Sequence, residues 1–299
     1  MTTPRQLKQL YEQGQNITQF LRQEMEVQHN TREIIEIAYD LQTGSYISMM
    51  QDGEMAQRQD RCSQEIAQII SSLCRPASIM EAGVGEATTL SGVLHHLGGG
   101  IASYGFDLSW SRAFYAQKWL HSKGITNTVL CSGDLLNIPF ADNSIDVVYT
   151  SHSMEPNGGS EEPILRELYR VTKHYLVLIE PGYEFAPEAA KRRMELHGYC
   201  KNIKGIAFSL GYDILQHQPF DFTISDPLNP SALTIIRKPD GNETPQHILA
   251  CPKFKTPLQN IGNMLFSPEG LVVYPIIGGI PCLRIENGVF ASKYEEMIL

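Results

Sequence analysis

No apolar run in the 299-residue chain approaches the ~20 residues needed to cross a bilayer, so a membrane-spanning helix is not expected. The first residues, Met1-Thr-Thr-Pro-Arg-Gln, lack the apolar stretch of a secretory signal, and a cytoplasmic location is the expectation. The six cysteines, at 62, 74, 131, 200, 251 and 282, include no Cys-x-x-Cys pair. That excludes a complete zinc site and a disulfide framework, and apart from Cys251 they read as buried free thiols. Basic residues are scarce too, with 24 Lys and Arg against 33 Asp and Glu and a net charge of −9. Neutralising phosphates takes a basic face, so nucleic acid is not the expected partner, although a local basic patch is compatible with the count. Neither an internal repeat nor a low-complexity segment is present.

What is there has the length for one large α/β domain with accessories. Leu7, Leu10 and Tyr11, then Ile17, Phe20 and Leu21, recur at i, i+3, i+4 spacing and predict helices, as do Ile34, Ile35, Ala38 and Leu41. The pattern breaks at Gly44. Residues 44–53 read as a loop before a further helix over 54–73, making residues 1–75 a helical cap. From Ala77 short β-rich runs alternate with amphipathic stretches, the pattern of a parallel sheet with crossover helices. Seven strands are predicted, at 78–82, 103–107, 128–132, 145–151, 175–180, 213–220 and 232–238. Helices are predicted at 87–97, 110–123, 160–171 and 184–210, the last interrupted at Gly198 and Gly205. The resulting class is α/β, a doubly wound, Rossmann-like domain over 76–240. Pro239-Asp-Gly-Asn-Glu-Thr-Pro reads as a linker, and 246–299 as a small β-rich unit with runs such as Gly270-Leu-Val-Val-Tyr and Pro281-Cys-Leu-Arg-Ile.

The first strand runs into Met80-Glu81-Ala82-Gly83-Val84-Gly85-Glu86-Ala87-Thr88, a glycine turn followed by a helix. Gly83 and Gly85 permit a backbone geometry and a close ligand approach that a Cβ would forbid. A nicotinamide dehydrogenase fingerprint would need glycine at 88, where this chain has Thr88. Asp107, ending the second strand, can accept from both hydroxyls of a ribose, a role that serves either cofactor. The third strand leads into Gly133-Asp134-Leu135-Leu136-Asn137-Ile138-Pro139-Phe140, and Asp146 opens the fourth. Together with Arg166-Glu-Leu-Tyr-Arg-Val on the next helix, this succession closely resembles class I S-adenosylmethionine-dependent methyltransferases over about residues 76–240. The resemblance implies S-adenosylmethionine as cofactor, with Gly83 and Gly85 against the methionyl part, Asp107 holding the ribose and Leu108 among the cofactor-binding residues. It places Asp134 at the adenine amino group, Leu135 beside the ring, and Ser151 in the same cofactor set. Glu81 would act through a water or orient the glycine turn, and Asp146 would be structural. Ala87 stands where the family commonly has a third glycine, and is small enough to keep the helix close to the ligand.

Methyl transfer to an alcohol needs an in-line acceptor and a base. Candidates lie at the carboxyl ends of the fourth and fifth strands: His152 first, for its near-neutral pKa, then Glu155 and Glu180 as bases or as acceptors of hydrogen bonds. From the cap, Tyr39, Tyr46 and Arg32 could reach inward. Tyr46 is the preferred contact to the methionyl carboxylate or the acceptor, with an ordinary core tyrosine as the alternative. The tail from Ile248 through Cys251, Pro252 and Phe254 to Leu258, and then Tyr274 to Leu283, resembles the small zinc-ribbon-like domain that activates several methyltransferases as a separate partner. Phe254 stands at the second ligand position and Phe266-Ser-Pro-Glu-Gly replaces the later pair, so no metal is expected. The unit is expected to pack on the catalytic domain or to mediate a homodimer. The function expected is O-methylation of a small-molecule acceptor, a sugar, nucleotide-linked sugar or phosphorylated metabolite. An RNA-modifying methyltransferase and a catalytically silent methyltransferase-like partner subunit remain open beside it.

Overall fold

The computed structural model describes residues 2–220, 227–239, 243 and 245–297. Five helices come first: α1 (Pro4–Glu12), α2 (Ile17–Glu24), α3 (Arg32–Leu41), α4 (Ser45–Met49) and α5 (Gly53–Leu73). Thr3 and Gln6 form a reciprocal capping box at the start of α1, while Asn16 and Thr31 accept from the first turns of α2 and α3. Leu7, Ile17, Leu21, Ile34 and Ala38 turn inward as the i, i+3, i+4 pattern requires and close a small core of their own. The segment 44–53, expected as a loop, contains α4. Its reason is non-local: the carboxylate of Glu86 accepts from the Gly44 and Ile47 amides, both at 2.9 Å, and so satisfies the open end of a helix too short to persist alone.

The chain then alternates β1 (Ser78–Ala82), α6 (Thr88–Leu97), β2 (Ala102–Asp107), α7 (Trp110–Ser122), β3 (Val129–Ser132), β4 (Ile145–Ser151), α8 (Glu161–Val171) and β5 (Thr172–Pro181). It ends with α9 (Glu188–His197), α10 (Ile203–Ser209), β6 (Asp213–Phe220) and β7 (Ser231–Arg237). The seven strands form one sheet in the order β3-β2-β1-β4-β5-β7-β6, in which β7 runs antiparallel to both its neighbours. Successive strand residues face opposite layers. Ile79 and Val147 pack with α5, α6 and α7 through Ile66, Leu90 and Ala113, whereas Met80 and Val148 pack with α8 and α10 through Leu165 and Ala207. The strand order reverses between β1 and β4, which opens a crevice at their carboxyl ends. Within the long region predicted at 184–210, Gly198 does end a helix, in the left-handed conformation at φ 68°. Gly205 does not interrupt anything. It lies inside α10, where a Cβ would come within 2.2 Å of the Asn202 side chain.

Residues 259–290 form a small antiparallel sheet of β8 (Gln259–Ile261), β9 (Met264–Ser267), β10 (Val272–Ile277), β11 (Ile280–Pro281) and β12 (Val289–Phe290). It docks on the free edge of the large sheet. The Leu283 amide donates to the Ser132 carbonyl at 2.9 Å, next to a Ser132–Cys282 bridge, and the Ala250 amide donates to the Pro139 carbonyl at 3.0 Å. Cys251 is buried with its Sγ 3.6 Å from the Tyr274 hydroxyl, and Phe254 is 42% exposed. No group of three or more His, Cys, Asp or Glu side chains is arranged to hold a metal ion among the described residues. All six cysteines are free, but Cys62 and Cys74 are half-buried rather than buried, since they sit on the outer helical layer. The linker expected at 239–245 falls partly outside the described residues. No helix among the described residues is long and apolar enough to cross a membrane.

Candidate active site

The carboxyl ends of β1, β2 and β4 and the loop after β3 line a cavity of about 400 Å³, whose wall is completed by Arg32, Ile35 and Tyr39 of α3 and Tyr46 of α4. Of the sequence-predicted residues, Tyr46, Glu81, Gly83, Gly85, Asp107, Leu108, Asp134, Leu135, Ser151, His152 and Glu155 all line it. Glu180 does not. It is buried behind the loop that follows β4, where its Oε1 accepts from the Ser153 and Met154 amides at 3.1 Å each, and burial pushes its pKa up to about 7.

The glycine turn is built tightly. The amides of Gly83 and Val84 both donate to the Phe106 carbonyl, at 3.0 and 2.8 Å, and a Cβ on Gly83 would sit 2.2 Å from that of Ser153. Gly83, Gly85 and Ala87 have φ of 76°, 53° and 59°, so the alanine carries a left-handed strain of about 1 kcal/mol that the two glycines escape. A Cβ on Gly85 would meet only the Arg112 guanidinium, leaving the turn open towards the cavity. Asp107 accepts from the Gly85 amide with Oδ2 and from the Ser109 amide with Oδ1, both at 2.9 Å, which fixes its plane and leaves each oxygen a further lone pair. Burial raises its pKa, against the pull of Arg112 and the two amides. Glu81, fully buried and accepting from the Tyr149 hydroxyl at 3.2 Å, is pushed by burial up to about 8. Asp134 accepts from the Leu136 amide at 2.9 Å and pairs with Arg32.

On the other side of β1, the structure joins two residues that the sequence offered separately. His152 has φ of 56°, and its Nδ1 lies 2.5 Å from Glu155 Oε2 while its Nε2 lies 2.8 Å from the Ser231 hydroxyl. Asn229 donates to the same carboxylate oxygen at 3.0 Å, and the Tyr199 hydroxyl is close enough to help lower the carboxyl's pKa. Burial would lower the imidazole pKa, but the hydrogen bond and charge of Glu155 outweigh it and the net shift is upward. Burial would likewise raise Glu155, yet His152 and the neutral donors hold it below its ordinary value.

Sequence reasoning did not find Ser231, Asn229, Glu86 or Arg112. Ser231 and Asn229 reach the site from 79 and 74 positions away and belong to no local motif. Arg112 did leave a trace, because it stands on the buried stripe of α7 with Ala113, Ala116 and Leu120, where a charged residue is out of place.

Residues 79–175 match a family model described as a methyltransferase domain. Among solved structures, a candidate O-methyltransferase from Nostoc punctiforme is similar with a TM-score of 0.52 at 13% identity, over 67% of this chain and 60% of that one. A SAM-dependent methyltransferase from Aquifex aeolicus gives a TM-score of 0.41 at 18% identity, over 53% of this chain and 81% of that one. A 40-residue segment, 13% of this chain, is 46% identical to a UPF0434 protein of Vesicomyosocius okutanii and covers 68% of it. Residues 79–175 are thus a methyltransferase domain, and over a 40-residue segment the chain belongs with the UPF0434 proteins.

Proposed function

We propose that the protein methylates a hydroxyl of a small polar acceptor, with His152 as the base and Glu155 as the residue that positions it. The hydrogen-bonded pair of His152 and Glu155, in the same cavity as the glycine turn, carries this reading. S-adenosylmethionine supplies an electrophilic methyl carbon when bound. The fit of the cavity to that cofactor is supported by the open turn at Gly85, the free lone pairs of Asp107 and the apolar sides of Leu108 and Leu135. Tyr46, Glu81, Gly83, Gly85, Asp107, Leu108, Asp134, Leu135 and Ser151 form the proposed cofactor set.

With Nδ1–H donating a hydrogen bond to the Glu155 carboxylate, the neutral imidazole presents a lone pair at Nε2. The Ser231 hydroxyl, at 2.8 Å, supports the idea that an alcohol oxygen fits at this point. With the cofactor bound, His152 Nε2 would take the proton of an acceptor hydroxyl whose oxygen receives the methyl group, the carbon–sulfur bond breaking so that the sulfonium leaves as the neutral thioether of S-adenosylhomocysteine. Glu180, away from the cavity wall, holds the Ser153–Met154 backbone and so acts through His152 as a positioning residue. The acidic net charge and the modest cavity favour a sugar, a nucleotide-linked sugar or a phosphorylated metabolite over a polynucleotide. The chain divides into a cap over 1–75, a catalytic domain over 76–240 and a tail over 246–299, and the UPF0434-like segment is assigned to the tail. The test is radiolabelled methyl transfer from S-adenosylmethionine to methyl α-glucoside, uridine diphosphate glucose and glycerol 3-phosphate. At least one should be methylated, and His152→Ala should lower that rate by roughly 100-fold or more. Cofactor binding with no transfer to any of them would sink the O-methylation reading.

A further inference from the structure

Arg112 is only 5% exposed and lies in the wall of the cavity. A guanidinium taken out of water needs a counter-charge, yet this one forms no ion pair among the described residues. Its Nε donates to the Tyr39 carbonyl at 2.9 Å and its Nη2 reaches the Gln42 side chain at 3.5 Å. Its guanidinium carbon lies over the rings of both Tyr39 and Tyr46, with centroids 4.8 and 5.0 Å away. The nearby Asp107 feels its charge, but no hydrogen bond or ion pair joins the two side chains, and the carboxylate is turned to the Gly85 and Ser109 amides. The remaining nitrogen, Nη1, has no protein acceptor and is the atom nearest the space a Cβ on Gly85 would enter. A rigid, buried, unpaired cation therefore faces the glycine turn.

We infer that Arg112 binds the carboxylate of the cofactor's methionyl group. The proposal rests on the cavity being the S-adenosylmethionine site. Topology favours the cofactor over the acceptor as the source of this anion: Arg112 follows β2, whereas Ser231 opens β7, with β1, β4 and β5 between them in the sheet. Arginine's planar fork suits a carboxylate, and the two tyrosine faces keep it aimed in the absence of a protein partner. Tyr46 thus serves the methionyl carboxylate by seating the arginine.

The test compares two ligands by calorimetry. S-adenosylhomocysteine carries the carboxylate; 5′-methylthioadenosine shares the adenine, ribose and thioether but has no amino acid portion. Arg112→Ala should weaken S-adenosylhomocysteine roughly 10- to 100-fold while changing 5′-methylthioadenosine by less than about 3-fold. Arg112→Lys, which keeps the charge but not the fork, should fall between and decides the matter if the alanine variant does not fold. An unchanged affinity for S-adenosylhomocysteine, or an equal loss for both ligands, overturns the proposal, the latter by reducing Arg112 to a seat for the cap. Failure of the unmodified protein to bind S-adenosylhomocysteine would overturn the cofactor assignment instead.

Discussion

Replacing Glu155 with Gln removes the charge facing His152 while keeping the shape of the side chain. In the folded protein the imidazole holds its proton more tightly than at the ordinary value of 6.5, although burial works against it, because Glu155 bonds to it and faces it with opposite charge. Glu155 is held below 4.5 for the reciprocal reason. As pH rises the unfolded histidine loses its proton first, so the stability due to the raised histidine is complete below 6.5 and lost as pH climbs through the folded value. The stability due to the lowered carboxyl is complete above 4.5 and lost as pH falls through its folded value. Both are present together only between about 4.5 and 6.5. The side chains keep 34% and 11% of their exposure, so solvent screens the pair in part, and its charged form should be worth about 1–2 kcal/mol near pH 6. Urea denaturation of both proteins at about pH 6 and pH 9 measures it. The deficit of Glu155→Gln should be about 1–2 kcal/mol larger at the lower pH. Histidine NMR should show the His152 pKa falling in the variant, once burial acts without its main opponent. A deficit of equal size at both pH values would refute the reasoning, because it would mean that the two side chains are not charged together in the native protein.

Gly83→Ala should destabilise the protein by about 2 kcal/mol or more, since its φ of 76° is strained for alanine and the new Cβ would collide with Ser153. A thermal melt within a degree of the parent would contradict that geometry. For Glu81, the unfolded chain ionises near 4.5 while the buried carboxyl keeps its proton to about 8, so the protein loses stability as pH rises across that interval. Glu81→Gln should flatten this decline, which a series of melts between pH 5 and 8 would reveal.

The strands were legible because their signals are local. The first three apolar runs lead into a glycine or an acid, and Glu81, Gly83, Asp107 and Asp134 can be placed at strand ends by counting along a few residues. Helix α4 was not legible, because the carboxylate that caps it comes from Glu86 across the fold. Gly205 misled for a related reason: glycine weakens a helix on average, but here it makes room for Asn202. Glu180 and Glu155 look equivalent in sequence, as acids at or just beyond the ends of buried strands. Only the turn at His152, with its left-handed backbone, sends Glu155 to the imidazole and buries Glu180 beneath the loop.

Much of the cavity wall lies outside the stretch that matches the methyltransferase domain. Arg32, Tyr39 and Tyr46 precede residue 79, and Asn229 and Ser231 follow residue 175. The added parts also hold the strand-end loops directly: Asp40 takes the Ser109 hydroxyl at 2.6 Å, the Tyr39 carbonyl takes Arg112, and Arg32 meets Asp134. Arg284 of the tail pairs with Glu36 of α3 and reaches the Leu108 carbonyl at 3.4 Å, so the third unit touches both the cap and a loop of the site. Ala87 and His152 sit in left-handed conformations that cost about 1 kcal/mol each and must be held by their surroundings. The sheet alone therefore offers a half-open crevice common to its fold. Selectivity for an acceptor must come from the segments that close it: changes in β7, beside His152, should alter substrate choice before they alter cofactor binding, whereas changes at Tyr39 or Tyr46 should reach the cofactor through Arg112.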